Sequence, residues 1–264
     1  MMMKMFAPER RKVILKKLNE QKRIIVKDLS NEMNVSEATL RMDLSKMEDQ
    51  GLLQRTHGGA ILVDNKIDAN TSFSSREKTN KNEKHAIANQ AVKLISDGQC
   101  IMLDASSTAL ELAKLLKDKE IRITVVTSGI NTALELNEHP DITVIMLGGI
   151  LRRGSNSLEG NLGINILDEI NIDFLFTSAN GFSVEAGLTD FSVYEVQLKK
   201  AMVDAARNVI ALLDHSKINN NSIASFASIQ QINAIITDYN MPDHELQVLE
   251  EEGINVFIVS GVRQ

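Results

Sequence analysis

The segment Asp104-Ala105-Ser106-Ser107-Thr108 joins an apolar run to a helical pattern and places three hydroxyls where a helix begins. Backbone N–H groups and the positive end of a helix dipole meet at such a point, and together they attract an anion, above all a phosphate. Other polar or glycine-ended segments follow apolar runs in the same way: Leu147-Gly148-Gly149 with Arg152 soon after, Ser178-Ala179-Asn180-Gly181, Asp214-His215-Ser216-Lys217 and Thr237-Asp238. Ligands of open α/β sheets bind beyond the carboxyl ends of the strands. These endings therefore point to one polar crevice, in which Lys217 can neutralise a phosphate as a point charge. Each feature also has an ordinary reading: a serine-capped turn for 104–108, a solvated surface lysine for Lys217.

A second chemistry lies at the N-terminus. Three short amphipathic helices are readable there, with Val13, Ile14 and Leu18 on one face, then Val26, Leu29 and Met33, then Leu40, Leu44 and Met47. Ser36 is a good N-cap for the third helix, and Gly51 follows it as a stop. A helix-turn-helix buries one face of its second helix and offers the other to the major groove. The residues left for that outer face are Ser36, Glu37, Thr39 and Arg41, whose groups suit phosphate and base-edge contacts. Residues 52–62 read as a hairpin with a glycine pair at its turn, and Arg55 and His57 sit where a wing would place them. A dimerisation module built from three amphipathic helices is the alternative.

These elements imply two domains and a connector. Residues 1–62 form the helical module with its hairpin, the polar and aperiodic stretch 63–83 is a linker, and 84–264 form the larger domain. There, apolar strands at 100–104, 123–127, 143–147, 174–178, 209–213, 234–237 and 255–259 alternate with helices such as 107–116, 130–137 and 193–207. Continuous apolar strands between helices imply a parallel sheet covered on both faces, a Rossmann-like α/β domain.

Composition narrows the functions available. The net charge of −6 is unevenly spread: residues 1–60 hold 12 Lys and Arg against 8 Asp and Glu, leaving 17 against 27 in the rest. A small basic module and a larger acidic body fit a protein that meets nucleic acid with one end only. A single cysteine, Cys100, excludes an internal disulfide or a cysteine metal cluster, and the five histidines lack ligand spacing. No metal or cofactor is expected. No apolar run approaches the roughly 20 residues of a membrane span. Pro8, Glu9 and two arginines interrupt the N-terminus too early for a signal-peptide core, so a cytoplasmic protein is expected. A nucleotide-sensing Rossmann domain would want G-x-G-x-x-G after its first strand, and Gly148-Gly149-Ile150 does not supply it.

Three runs in order, Pro8-Glu9-Arg10, Val35-Ser36-Glu37-Ala38-Thr39-Leu40-Arg41-Met42-Asp43-Leu44 and Arg55-Thr56-His57-Gly58-Gly59-Ala60, resemble the DeoR family of bacterial sugar-catabolism regulators. The family's recognition helix reads S-E-x-T-[IL]-R-R-D-L, and Met42 stands in place of its second arginine. The resemblance continues through Asp104–Thr108, Val126-Thr127-Ser128, Leu147-Gly148-Gly149, Glu195 with Lys199, Asp214–Lys217 and Ile236-Thr237-Asp238. It implies a winged helix-turn-helix followed by a sensor domain similar to ribose-5-phosphate isomerase. Ser106–Thr108 and Lys217 would then hold a phosphate, with Thr127 and Glu195 in the same pocket and Glu195 at the position of the isomerase base. The isomerase keeps an aspartate pair where this chain has Ser178-Ala179-Asn180-Gly181-Phe182, so the resemblance implies binding without turnover. An isomerase with an appended DNA-binding module is the competing reading. The implied partners are a double-stranded DNA operator, a small phosphorylated sugar or sugar alcohol, and further copies of the chain as a homodimer or tetramer, with no membrane.

Overall fold

The computed structural model of the chain describes residues 7–21, 23–33, 35–49, 53–56, 58–61, 73–151 and 155–260, in two compact units, Met1–Ser75 and Arg76–Gln264.

In the first unit α1 (Ala7–Gln21) leads to a short strand β1 (Arg23–Ile25), then α2 (Val26–Met33), α3 (Glu37–Asp49), β2 (Gln54–Thr56) and β3 (Gly59–Ile61). The helical stripes read from sequence are its core: Ile14, Leu18, Leu40 and Met47 are fully buried beside Val26, Leu29 and Leu44. Asp43 pins α1 onto α3, taking Arg10 Nε at 2.5 Å and Arg11 Nε at 3.2 Å. The hairpin β2–β3 gains β1 as a third, antiparallel strand in the order β1-β3-β2. Gly59 is required by that pairing, because a Cβ there would lie 1.9 Å from the Ile24 carbonyl oxygen.

Helix α4 (Phe73–Lys78) crosses the boundary between the units, and α5 (Lys81–Ala91) follows at once. Of the stretch 63–83 expected as a linker, the described part, from residue 73 onward, is mostly helical; residues 63–72 lie outside the described residues. The polar faces of these helices hid them. Only Phe73, Lys84, Ile87, Ala88 and Ala91 are buried across both, and one of those five is a lysine.

The second unit is built on seven parallel strands. β4 (Cys100–Leu103), α6 (Ser107–Lys117), β5 (Ile123–Thr127), α7 (Ile130–Leu136) and β6 (Ile142–Met146) build one half. A hairpin of β7 (Ile150–Leu151) and β8 (Leu158–Glu159) precedes the second half: β9 (Phe174–Thr177), β10 (Gly181–Ser183), β11 (Gly187–Asp190), α8 (Val193–Ala205), β12 (Val209–Leu213), β13 (Ala224–Ala227), β14 (Ala234–Thr237), α9 (Asp243–Glu251) and β15 (Asn255–Ile258). The main sheet runs β15-β14-β12-β9-β4-β5-β6, and all seven expected strands are in it. Both faces are covered by apolar clusters, one around Met102, Leu175 and Ala211, the other around Ile101, Phe176 and Leu212. A small antiparallel sheet, β10-β11-β13, was not visible in the sequence. From β4 the chain winds outward through β5 and β6, then returns to β9 and winds the other way. The strand order therefore reverses between β4 and β9, the place where open α/β sheets bind ligands.

Candidate functional site

At that reversal Asp104 stands at the tip of β4 with no exposed surface. Its Oδ1 accepts the Ser106 backbone N–H at 3.0 Å, and its Oδ2 accepts Thr177 Oγ1 at 2.7 Å and the Ser178 N–H at 2.9 Å. One carboxylate thus ties the tips of β4 and β9 together. Lys199 of α8 completes the knot: its Nζ lies 2.9 Å from Asp190, 3.3 Å from Asp104 and 3.5 Å from Glu195, and donates to the Ser178 carbonyl at 2.8 Å. Burial alone would raise the Asp104 carboxyl, but the Lys199 ammonium and these hydrogen bonds hold it below the usual range. Lys199 is in turn raised, because its three carboxylate neighbours outweigh its burial. Glu195 is the member left unsettled: burial, aided by Asp190 and Asp104 and opposed by Lys199 and Arg76, pushes it up to about 7.

The other residues expected in the crevice lie at strand ends, helix starts and loops of the second unit. Ser106 caps α6, its Oγ accepting the Ala109 N–H at 3.0 Å, so Ser107 and Thr108 lie in the first turn, where the dipole is positive. Ser192 caps α8 at Glu195 and also donates to Glu159 Oε2 at 3.1 Å. Thr127 is fully buried at the end of β5, where its Oγ1 accepts the Gly129 N–H at 3.0 Å. Asn180 is half-buried and donates to Ser222 at 3.3 Å. Lys217 is half-buried in the single turn that follows β12, beside Asp214. Arg152 lies outside the described residues.

Both oxygens of Asp104 are committed within the protein, to Ser106, Thr177 and Ser178. Leu147-Gly148-Gly149 serves close packing: a Cβ on Gly149 would lie 2.7 Å from the Glu159 carbonyl oxygen. The β7–β8 hairpin thereby settles across the end of β5, with the Leu158 N–H on the Ser128 carbonyl at 2.9 Å. Sequence reasoning missed Asp190, Glu159 and Thr177, which carry no motif of their own. It also missed Asn80 and Lys84, which were assigned to the linker or its edge.

The first unit carries the other face. Ser36 Oγ caps α3 by accepting the Thr39 N–H at 3.3 Å, and it lies 2.8 Å from Thr39 Oγ1. Glu37, Arg41 and Met42 are exposed on the side away from Leu40 and Leu44. Arg41 is held 3.1 Å from Glu37, one turn back. Arg55 is exposed on β2, and His57 lies outside the described residues. Among the described residues no helix is long and apolar enough to cross a membrane, and no group of His, Cys, Asp and Glu could hold a metal ion.

Comparison with known proteins agrees with this architecture. The DeoR-like helix-turn-helix domain matches residues 10–66 and the DeoR C-terminal sensor domain matches residues 79–239. An HTH-type transcriptional regulator of Listeria innocua, GolR, is 42% identical over 96% of this chain and 99% of its own. The repressor GlcR of Bacillus subtilis is 35% identical over 96% and 97%, and the glycerol-3-phosphate regulon repressor of Escherichia coli is 29% identical over 94% and 97%. Among solved structures, ribose 5-phosphate isomerase A of Methanocaldococcus jannaschii is 22% identical over 53% of this chain and 55% of its own, with a TM-score of 0.40. The chain, a winged helix-turn-helix joined to a parallel-sheet sensor domain, is a member of the DeoR family of transcriptional regulators.

Proposed function

We propose that this regulator represses a carbohydrate-utilisation operon by binding its operator through α3 and the β2–β3 wing, and that a phosphorylated sugar or sugar alcohol in the second unit alters that affinity. The supporting observation is Glu195. It is a buried carboxyl pushed up to about 7 at the reversal of strand order, close to the hydroxyl-rich start of α6. A carboxyl left half-ionised among hydroxyls and cations suits sugar hydroxyls, and the α6 terminus with Lys217 suits a phosphate. One related repressor, of Escherichia coli, is named for a glycerol-3-phosphate regulon.

Binding without turnover follows from how the acids are spent. Aldose–ketose isomerisation needs a base and further polar groups to stabilise the enediolate. The carboxylates nearest Glu195, Asp104 and Asp190, are both committed to Lys199. The segment Ser178–Phe182 offers no other acid. Ser106, Ser107, Thr108, Thr127, Asn180, Glu195 and Lys217, with Arg152, are the residues assigned to the ligand; Asp104 positions them. Ser36, Glu37, Thr39, Arg41, Arg55 and His57 are assigned to DNA. The protein works without a cofactor, in the cytoplasm, as a dimer or tetramer whose paired heads span operator half-sites. Incubation with aldose and ketose phosphates tests the non-enzymatic reading: no conversion above the buffer rate is expected, and conversion well above it would restore the isomerase.

A further inference from the structure

Around the β7–β8 hairpin the second unit leaves large apolar side chains in the open. Leu162 is 73% exposed, Ile150, Leu151, Val193 and Tyr194 are each more than half exposed, and Ile166 is 36% exposed. The backbone brings them together. Ile150 and Leu151 are β7 and pair with Glu159 and Leu158 of β8. The Gly160 N–H, next after β8, donates to the Tyr194 carbonyl of α8 at 3.2 Å. Gly163 backs onto the start of the hairpin so closely that a Cβ would lie 2.4 Å from the Gly148 nitrogen. The short turn Ile164–Glu169, which carries Ile166, packs on α8.

Buried Ser192 ties hairpin to helix, accepting the Glu195 N–H at 3.3 Å and donating to Glu159 Oε2 at 3.1 Å. The first turn of α8 thus exposes Val193 and Tyr194 while it buries Glu195. These bonds hold the patch in shape before any partner arrives, which lowers the ordering cost of docking.

Size and charge select the occupant. The six side chains expose on the order of 600 Å² in all, the upper end for the largest patch on a monomer. Two such patches face to face would bury about 1,200 Å², the size at which stable interfaces begin. The described residues of 147–151, 155–167 and 191–197 expose no charged side chain, since Glu159 and Glu195 are both buried; Arg152 and Arg153 lie outside the described residues. That surface offers no cation to a nucleic acid. On a chain of net charge −6 it is a place where two copies can meet without like-charge repulsion. A two-fold contact uses the same patch on both partners, so an uncharged apolar patch is its own complement.

We propose that this patch, the β7–β8 hairpin with the first turn of α8, is the two-fold interface on which a second copy of the chain docks. The inference rests on the reading above that the regulator acts as a dimer or tetramer, and it gives that assembly its surface. It also sets the contact one residue from Glu195, on the turn assigned to the effector.

Sedimentation of the full-length protein at micromolar concentration tests this. Wild type should run as a dimer or larger. Leu151→Asp combined with Leu162→Asp puts two charges on each copy's patch. It should weaken self-association by about tenfold or more, so that the mass falls to half or less while the circular dichroism of wild type is kept. Val248→Asp, at an exposed apolar position on α9, should keep the wild-type mass. In wild type alone, dilution through the association midpoint should speed amide exchange at residues 148–151, 158–163 and 193–196 and leave α9 unchanged. A folded double variant of wild-type mass, the result if the chain's own first unit covers the patch, overturns the proposal. So does exchange in those segments that ignores dilution. A monomeric wild type removes the dimer reading itself and the proposal with it, whereas an oligomer indifferent to the double variant removes this interface alone.

Discussion

Glu195 Oε1 lies 3.5 Å from Lys199 Nζ, one helical turn away, yet the lysine spends its hydrogen bonds on Asp190 and the Ser178 carbonyl. Glu195 is thus the least well satisfied of the three carboxylates around that ammonium.

Glu195→Gln should therefore stabilise the folded protein at alkaline pH while weakening the effector. The folded pKa of about 7 lies above the ordinary value of 4.5, so the folded protein keeps a proton that the unfolded chain gives up. That contribution is complete below the lower value and is lost as pH rises through about 7. Near pH 8 the substitution should raise stability on the order of 1–2 kcal/mol, a few degrees in Tm, with little change near pH 4. Thermal melts across pH read this directly; equal shifts at both ends would contradict it.

Asp43 is the joint of the DNA-binding unit. Asp43→Ala removes the buried acceptor that Arg10 and Arg11 share, and should cost about 2–4 kcal/mol of that unit's stability, with operator binding lost in parallel. Denaturant titration checks the figure, and a change under 0.5 kcal/mol would show the clamp to be ornamental.

Arg41 and Met42 stand side by side on the exposed face of α3. Arg41→Ala should weaken operator binding by about 1–3 kcal/mol. Met42→Arg, which restores the family's residue, should tighten binding to any duplex and steepen its salt dependence by about one counterion. Anisotropy titrations at several salt concentrations separate the two effects. Wild-type affinity for the alanine variant would mean that α3 is not the reading helix.

Lys217→Ala should abolish the response of operator binding to a phosphorylated ligand. Retained induction would remove Lys217 from the site.

Much of this was legible in the sequence because one residue property decided each element. The five inner strands of the main sheet are largely buried on both faces, so runs such as Val209–Leu213 read as strands without any alternation. Leu40, Leu44 and Met47 revealed α3 for the equivalent helical reason. β1 stayed hidden because only Ile24 of its three residues is buried, and its partner β3 lies more than thirty residues away. α4 and α5 stayed hidden because a buried Lys84 reads as a solvated one. In the crevice the serines and Lys217 were visible as motifs. The role of Asp104 was not, since its satisfaction depends on Thr177, Ser178 and Lys199, which only folding brings to it.

Coupling between the two units is what makes an effector a regulator of operator binding. Operator affinity should be measured by fluorescence anisotropy on DNA from the protein's own promoter region, with and without a panel of hexose, pentose and polyol phosphates and their unphosphorylated parents. At least one phosphorylated compound should shift the operator Kd by about 5–150-fold, a coupling of about 1–3 kcal/mol, and its parent should not. An operator Kd unmoved by every phosphate, or moved equally by the bare sugars, would contradict it.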